Sequence, residues 1–447
     1  MWNLFYNGLL IITAPVILVI LLAKPRCRRG LSQRFGFIIP RITPDGRPLV
    51  WLHAVSLGEV VAITPLVKEL HRRHPTHRFV VSTTTETGRD AVEQRLAGMA
   101  EHLYAPIDFP WAVSRTIARL HPVLYVFIET ELWPNLLRHL SALGVPTIMI
   151  NGRLSSASFA RLRWRPVKSF YRSVLRSMRL CLMQSERDAE RIICLGADPG
   201  SVRRTGNIKF DQPLPSEAER RVTRATLGIE EDAPLLIGGS THPIEEEQLV
   251  EAFVAVLSRH PSTRLLLAPR HIERVEAVEA MVRGRGLAVS RRSAMAAGSA
   301  NAGVKPQVII LDSRGELALI YQEATVAFVG GTLVPIGGHN LLEPASWGKP
   351  VLFGPFTDHC VEIAALLTQA GGGRRVTSVG ELTEEFLRLI EQRDERLRMG
   401  QAAQSVVHQN QGALQATVEA IDGQLASVET TRSSARAQHS FPVMAGR

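Results

Sequence analysis

Residues 49–83 read LVWLHAVSLGEVVAITPLVKELHRRHPTHRFVVST, and this stretch decides the fold. Its ends, LVWLH (Leu49 to His53) and RFVVST (Arg78 to Thr83), are short apolar runs of the kind that form strands buried on both faces. Between them, EVVAITPLVKELHRRH spaces its apolar residues in steps of three and four, the period of a helix with one buried stripe. Strand, helix, strand at this spacing is a βαβ unit, which implies a parallel sheet.

The same alternation runs on. In the first half, strands are expected at HLYAP (His102 to Pro106), VLYVFIE (Val123 to Glu129), PTIMIN (Pro146 to Asn151), LCLMQ (Leu180 to Gln184) and VRRTG (Val202 to Gly206). Helical stretches follow nearly every one, so residues 30–211 read as one doubly wound, Rossmann-like α/β domain. A proline-rich, charged stretch from Asp211, DQPLPSEAERR, breaks the rhythm and marks a linker at 212–232. The rhythm restarts with APLLIGGS, TRLLLAPRH, VIILD, ATVAFVGG and KPVLFGP, giving a second such domain at 233–425. Two domains suit 447 residues, too many for one core. In tandem they are expected to turn the carboxyl ends of both sheets toward a shared cleft. From about Ser427 periodicity fails, and 426–447 is expected to be a disordered tail.

From Leu4 to Ala23, LFYNGLLIITAPVILVILLA carries no charge. Twenty residues at about 1.5 Å each match the ~30 Å hydrocarbon core of a bilayer, so residues 1–24 read as a membrane anchor. Lys24, Arg26, Arg28, Arg29 and Arg34 follow it, and the positive-inside rule keeps the body behind them cytoplasmic. The net charge of +10 asks for a polyanionic partner: nucleic acid, anionic lipid or a phosphorylated substrate. An anchor favours lipid, and 6% aromatic residues disfavour nucleic acid. Cys27, Cys181, Cys194 and Cys360 show neither metal-ligand spacing nor a disulfide framework, so no metal or cofactor is expected.

Six motifs sit where strands end. In HAVSLGEV, Ser56 and Gly58 suit the turn into the helix and Glu59 lies in its first turn, able to accept a proton from a hydroxyl or simply to complement the helix dipole. In ETELWPNLL, Glu129 and Glu131 are paired acids, fit for positioning or proton transfer or for capping the next helix. NGRLSSASF carries Arg153 and leads into ARLRWRPVKSFYRSVLRSMR, where Arg165, Lys168, Arg172 and Arg176 fall on one stripe of an amphipathic helix suited to anionic headgroups. In GNIKFD, Asn207 and Lys209 face the expected cleft. GGSTHPIEEE, with Ser240 and Thr241, reads as a phosphate-accepting turn before a helix, and LLLAPRH ends on Arg270 and His271, where a guanidinium can fork onto a phosphate.

The most specific stretch is VGGTLVPIGGHNLLEPASWGKPVLFGP, Val329 to Pro355. Gly337 and Gly338 let the backbone approach a ligand. A helix start at His339 and Asn340 can offer N–H groups to a phosphate, and Glu343 can take a ribose diol.

In this order, behind an anchor, HAVSLGEV, ETELWPN, NGRLS, GNIKFD, APRH and GGHNLLEP resemble the Kdo (3-deoxy-D-manno-octulosonic acid) transferase family, over about Gly30 to Leu425. The resemblance implies the two-domain GT-B architecture. It also implies transfer from CMP-Kdo to the phosphorylated, acylated disaccharide of the lipid A precursor, inverting and metal-independent, at the inner membrane. By the same resemblance Glu59 is the general base. Arg270, Gly337, Gly338, His339 and Asn340 stabilise the departing CMP, Glu343 holds its ribose, and Asn207 with Lys209 lie close to the donor. Competing readings are a UDP-sugar transferase of the same architecture, a nucleotide-sugar epimerase, and a membrane-tethered nucleic-acid-binding protein.

Overall fold

The computed structural model describes residues 2–23, 29–38, 46–212, 223–296 and 305–439. Lys24, Arg26, Cys27 and Arg28, the linker residues 213–222 and the end of the tail lie outside them.

The chain divides into two compact units, Met1–Gln212 with Gln411–Arg447, and Pro213–Asn410. In the first unit the strands are β1 (Leu49–His53), β2 (Arg78–Thr83), β3 (Glu101–Tyr104), β4 (Pro122–Ile128), β5 (Thr147–Gly152), β6 (Leu180–Met183) and β7 (Val202–Arg204). All pair in parallel, in the order β3-β2-β1-β4-β5-β6-β7. β1 and β4 are buried along their whole length because helices cover both faces of the sheet. The order reverses between β1 and β4, and at such a switch point the loops leaving the two strands part and open a crevice.

The second unit repeats the plan with β8 (Leu235–Thr241), β9 (Arg264–Pro269), β10 (Val289–Arg291), β11 (Val308–Ile310), β12 (Val326–Val329), β13 (Val351–Phe353) and β14 (Gly373–Arg375), ordered β10-β11-β9-β8-β12-β13-β14. Here the switch lies between β8 and β12. The short edge strands β10 and β14 are additions to the sequence reading.

The C-terminus corrects that reading. Helix Ala413–His439 continues well past Ser427 where a disordered tail was expected, and it packs with the first unit rather than the second. Its Ala413, Val418, Ile421 and Leu425 are buried among Val50, Leu52, Val67 and Leu70. The carboxylate of Asp211 accepts the N–H groups of Gly412 (2.6 Å) and Leu414 (2.9 Å), satisfying two orphan donors at the helix start. Asp422 pairs with Arg73 (2.8 Å), the last residue of helix Leu57–Arg73, and with His74 (2.7 Å), its C-cap.

The N-terminal helix Trp2–Ala23 is the one helix among the described residues long and apolar enough to cross a membrane. Its first two turns dock on the first unit. Tyr6 donates to Asp108 (2.9 Å), the Asn135 amide donates to Asn7 (2.7 Å), and Trp2 and Tyr6 pack on Phe170. Leu9, Ile11, Ile12, Val16, Val19 and Ile20 are exposed.

Because Leu425 fills the first unit's core, Leu425→Ala is expected to destabilise it by roughly 2–5 kcal/mol in urea unfolding. An unchanged midpoint would mean that the C-terminal helix contributes nothing to this core.

Candidate active site

In the first unit the functional side chains gather where β1 and β4 end. Ser56 is the N-cap of helix Leu57–Arg73, Gly58 is exposed in its first turn, and Glu59 sits beside it. The Glu59 carboxylate reaches back to accept the Val55 N–H (2.6 Å) and the Ser56 hydroxyl (3.2 Å), an N-terminal capping arrangement. Burial pushes its pKa up to about 7; the Val55 bond opposes this, and the charges of Glu129 and Glu131 add to it.

Glu129 follows β4 in a left-handed backbone conformation (φ 61°), a sparsely populated geometry for a residue with a side chain. Its carboxylate accepts from the Lys209 ammonium at 3.2 Å. Glu131 accepts the Trp133 indole N–H (3.0 Å). The carbonyl of Arg153 accepts the Thr130 hydroxyl, while the Arg153 guanidinium makes no hydrogen bond or ion pair among the described residues.

Lys209 is held by a buried polar chain. Asn207 donates to Gln184 (3.2 Å), Gln184 donates to the Asn151 carbonyl (3.0 Å), and the Asn151 side chain accepts the Ile208 N–H (3.1 Å). Asn151 itself has φ 52°. Of the two residues expected beside a donor, Lys209 meets Glu129, and Asn207 accepts the Lys209 N–H (3.1 Å). His53 is an addition to the sequence reading: 2% exposed, it bonds Ser82 through Nδ1 (2.9 Å) and lies edge-on to Trp133, while its Nε2 has no partner. Burial holds its pKa down at about 4, so it is neutral at pH 7.

The second unit's cluster lies where β8 and β12 end. Beside the turn at Ser240 and Thr241 an acid of the chain itself gathers backbone N–H groups. Glu245, fully buried at the start of helix Glu245–Arg259, accepts the N–H groups of His242 (3.0 Å), Gly331 (2.7 Å), Thr332 (2.9 Å) and Leu333 (2.9 Å). This carboxylate thereby ties the loop after β8 to the loop after β12. Thr241 is buried and donates to Glu246 (3.3 Å), which pairs with Arg274 (2.7 Å), and Ser240 has φ 54°.

The helix expected at His339 begins instead near Leu342 and covers only Leu342–Ser346, with Glu343 in its first turn. Gly337 (φ 105°) and Gly338 (φ 84°) need their backbone freedom, and a Cβ would strike the His359 ring at one and Cys360 Sγ at the other. These glycines therefore serve the packing of the loop as well as any ligand approach. Asn340 donates to Glu343 (3.2 Å) and accepts the Leu342 N–H (3.1 Å). Arg270 is exposed, and its guanidinium makes no ion pair or hydrogen bond among the described residues. His271, next along, lies edge-on to His242 with ring centroids 5.7 Å apart. His339 and His242 meet through their Nε2 atoms at 2.8 Å.

The basic run is two helices rather than one, Ser156–Leu162 and Arg165–Leu175, broken at Arg163 and Trp164 with Pro166 opening the second. Arg165, Arg172 and Arg176 are exposed and Lys168 partly so, while Val174 and Leu175 are buried.

The profile of a family described as "3-Deoxy-D-manno-octulosonic-acid transferase (kdotransferase)" matches residues 29–212. A 3-deoxy-D-manno-octulosonic acid transferase of Haemophilus influenzae is 34% identical over 420 residues, covering 93% of this chain and 97% of that one. The chain belongs to the Kdo transferase family. It is therefore a glycosyltransferase. The fold alone would not decide this. A putative UDP-N-acetylglucosamine 2-epimerase from Listeria monocytogenes (TM-score 0.57, 16% identity) and the glycotransferase of kitacinnamycin (TM-score 0.54, 16% identity) each align over 85% of this chain, covering 97% and 99% of their own lengths. Both share its GT-B-like pair of parallel-sheet units. Kdo transferase membership rests on the sequence, not on that shared shape.

The raised pKa of Glu59 makes a stability prediction. The folded state favours the neutral acid, so stability is full near pH 4.5 and falls as pH climbs through about 7. Glu59→Gln removes that cost. Its advantage over wild type should grow between pH 5 and pH 8, to at most roughly 3 kcal/mol. Parallel thermal unfolding at the two pH values checks this, and an advantage that does not change with pH would place the ordinary pKa back on Glu59.

Proposed function

We propose that this Kdo transferase moves Kdo from CMP-Kdo to a hydroxyl of the lipid A precursor, the acylated glucosamine disaccharide bisphosphate, with inversion and without a metal. The observation that carries the reading is Glu59, a carboxylate at the β1/β4 switch point whose proton affinity burial lifts to about 7, the range a general base needs near neutral pH. Glu59 takes the acceptor hydroxyl proton as the oxygen attacks the anomeric carbon. The bond from that carbon to the CMP phosphate oxygen breaks, and the phosphate keeps the electron pair. Lys209 pairs with Glu129 at 3.2 Å, and the Glu129 charge adds to the proton affinity of Glu59.

On the second unit, Arg270, Gly337, Gly338, His339 and Asn340 are assigned to the CMP phosphate and Glu343 to the ribose. The Arg270 guanidinium, which makes no ion pair or hydrogen bond among the described residues, supports this as a fork suited to phosphate oxygens.

We assign the N-terminal helix to the inner membrane and the body to its cytoplasmic face. The exposed apolar face of the helix supports this, as does the docking of its first turns beside Arg165–Leu175. Arg165, Lys168, Arg172 and Arg176, with Trp164 66% exposed, then meet anionic headgroups.

Two experiments test the proposal. With labelled CMP-Kdo and lipid A precursor, Glu59→Gln should lose turnover by roughly 10²–10⁴-fold, and EDTA should leave the wild-type rate intact. Near wild-type turnover in the variant would remove Glu59 as the base. Reversing Arg165, Lys168, Arg172 and Arg176 to Glu should raise acceptor KM in anionic mixed micelles while sparing CMP affinity, and the difference should shrink as salt shortens the ~10 Å Debye length at about 0.1 M. Equal KM values at low salt would reduce this helix to a solvated face.

A further inference from the structure

His242 directly follows β8 and His339 lies in the loop between β12 and helix Leu342–Ser346, β8 and β12 being the strands that flank the second unit's switch point. Their rings lie within 9° of parallel, and their Nε2 atoms are 2.8 Å apart. Two lone pairs at that distance repel, so a proton must lie between them: one imidazole donates and the other accepts. The backbone on both sides is fixed. Glu245 holds the N–H of His242 on one side and those of Gly331 to Leu333 on the other. The outward Nδ1 of His339 makes no hydrogen bond among the described residues.

The charges around the pair are mostly positive. Arg270, His271 and Arg274 face His242, and Arg270, His271 and His359 face His339. The nearby acids are already engaged, Glu245 by backbone N–H groups and Glu246 by Arg274. Burial, followed by Arg270, holds His339 down at about 3, and burial, followed by His271, holds His242 below its ordinary value. The pair is therefore neutral at pH 7. A phosphate against His339 Nδ1 reverses the balance, because an anion stabilises imidazolium while Nε2 stays bonded to His242.

We propose that His242 is a positioning residue for the donor phosphate: His242 and His339 act as one proton-sharing pair that takes up a single proton from solvent when a nucleoside monophosphate binds, leaving His339 Nδ1–H as a donor to it. This rests on the assignment of CMP to the second unit.

The test is calorimetric titration of the full chain in detergent micelles with CMP at pH 7.5, in two buffers of different ionisation enthalpy. At this pH a phosphate monoester, with its second pKa of about 6, is already mostly dianionic, so an uptake signal belongs to the protein. Wild type should take up a substantial fraction of one proton with CMP and none with cytidine. His242→Phe should abolish the uptake and weaken CMP about tenfold, the loss of one charge-assisted bond. His242→Gln, whose amide can still donate to His339 Nε2, should lose the uptake but keep more of the affinity, which a purely structural role would not produce. CMP binding without proton uptake, or uptake that persists in both variants, overturns the pair. If CMP fails to bind wild type, or Arg270→Ala leaves its affinity unchanged, the donor assignment itself fails, and the proposal falls with it.

Discussion

A carboxylate taken out of water must be given hydrogen-bond donors or give up its charge, and burial raises the proton affinity of one such acid in each unit, against different numbers of donors. Glu245 receives four backbone N–H groups from two loops and becomes a scaffold: the β8 and β12 loops are folded around it. Glu59 receives one backbone N–H and one hydroxyl and has two other acids nearby, so its affinity for a proton rises toward neutrality. The same residue type, near the start of the helix that follows a switch-point strand in each unit, holds two loops together in one and stands among other acids in the other.

The parallel sheet explains why these residues are where they are. Every crossover returns the chain to the same edge, so all strand exits in a unit open on one side, and the switch point separates two of them. The strained residues cluster there. Glu129, Asn151 and Ser240 all adopt positive φ where β4, β5 and β8 finish, each held by the packed sheet behind it. The polar chain from Asn151 through Gln184 and Asn207 fixes the segment that delivers Lys209 to Glu129. Strain and polar burial are concentrated where precision of placement matters.

What was legible in the sequence follows from range. β1 and β2 begin and end where their apolar runs do, because a central strand buried on both faces writes its full length into hydrophobicity. β10 and β14 left no such mark, being three residues long, at sheet edges and carrying arginines. Glu59, Glu129 and Glu131 were visible as acids at strand ends. The role of Glu245 was not, since Gly331, Thr332 and Leu333, whose N–H groups it accepts, lie 86 to 88 residues away. The His242–His339 contact is longer still, 97 residues. The final helix was missed beyond Ser427 because its last turns run past the core and need no apolar stripe.

That helix bears on how the chain is made. The second unit is an insertion within the first, entered after Gln212 and left at Asn410. During synthesis from the N-terminus the first unit's seven strands emerge early, but the surface covering Val50, Leu52, Val67 and Leu70 stays open until Ala413 to Leu425 leave the ribosome. The second unit has no such dependence and can close first. The nascent first unit must wait with apolar surface uncovered while about two hundred residues of its insertion are translated, a delay of roughly 10–40 s at 5–20 residues per second. A chaperone holding that surface, or slow local codon usage, would act on this interval rather than on the finished enzyme.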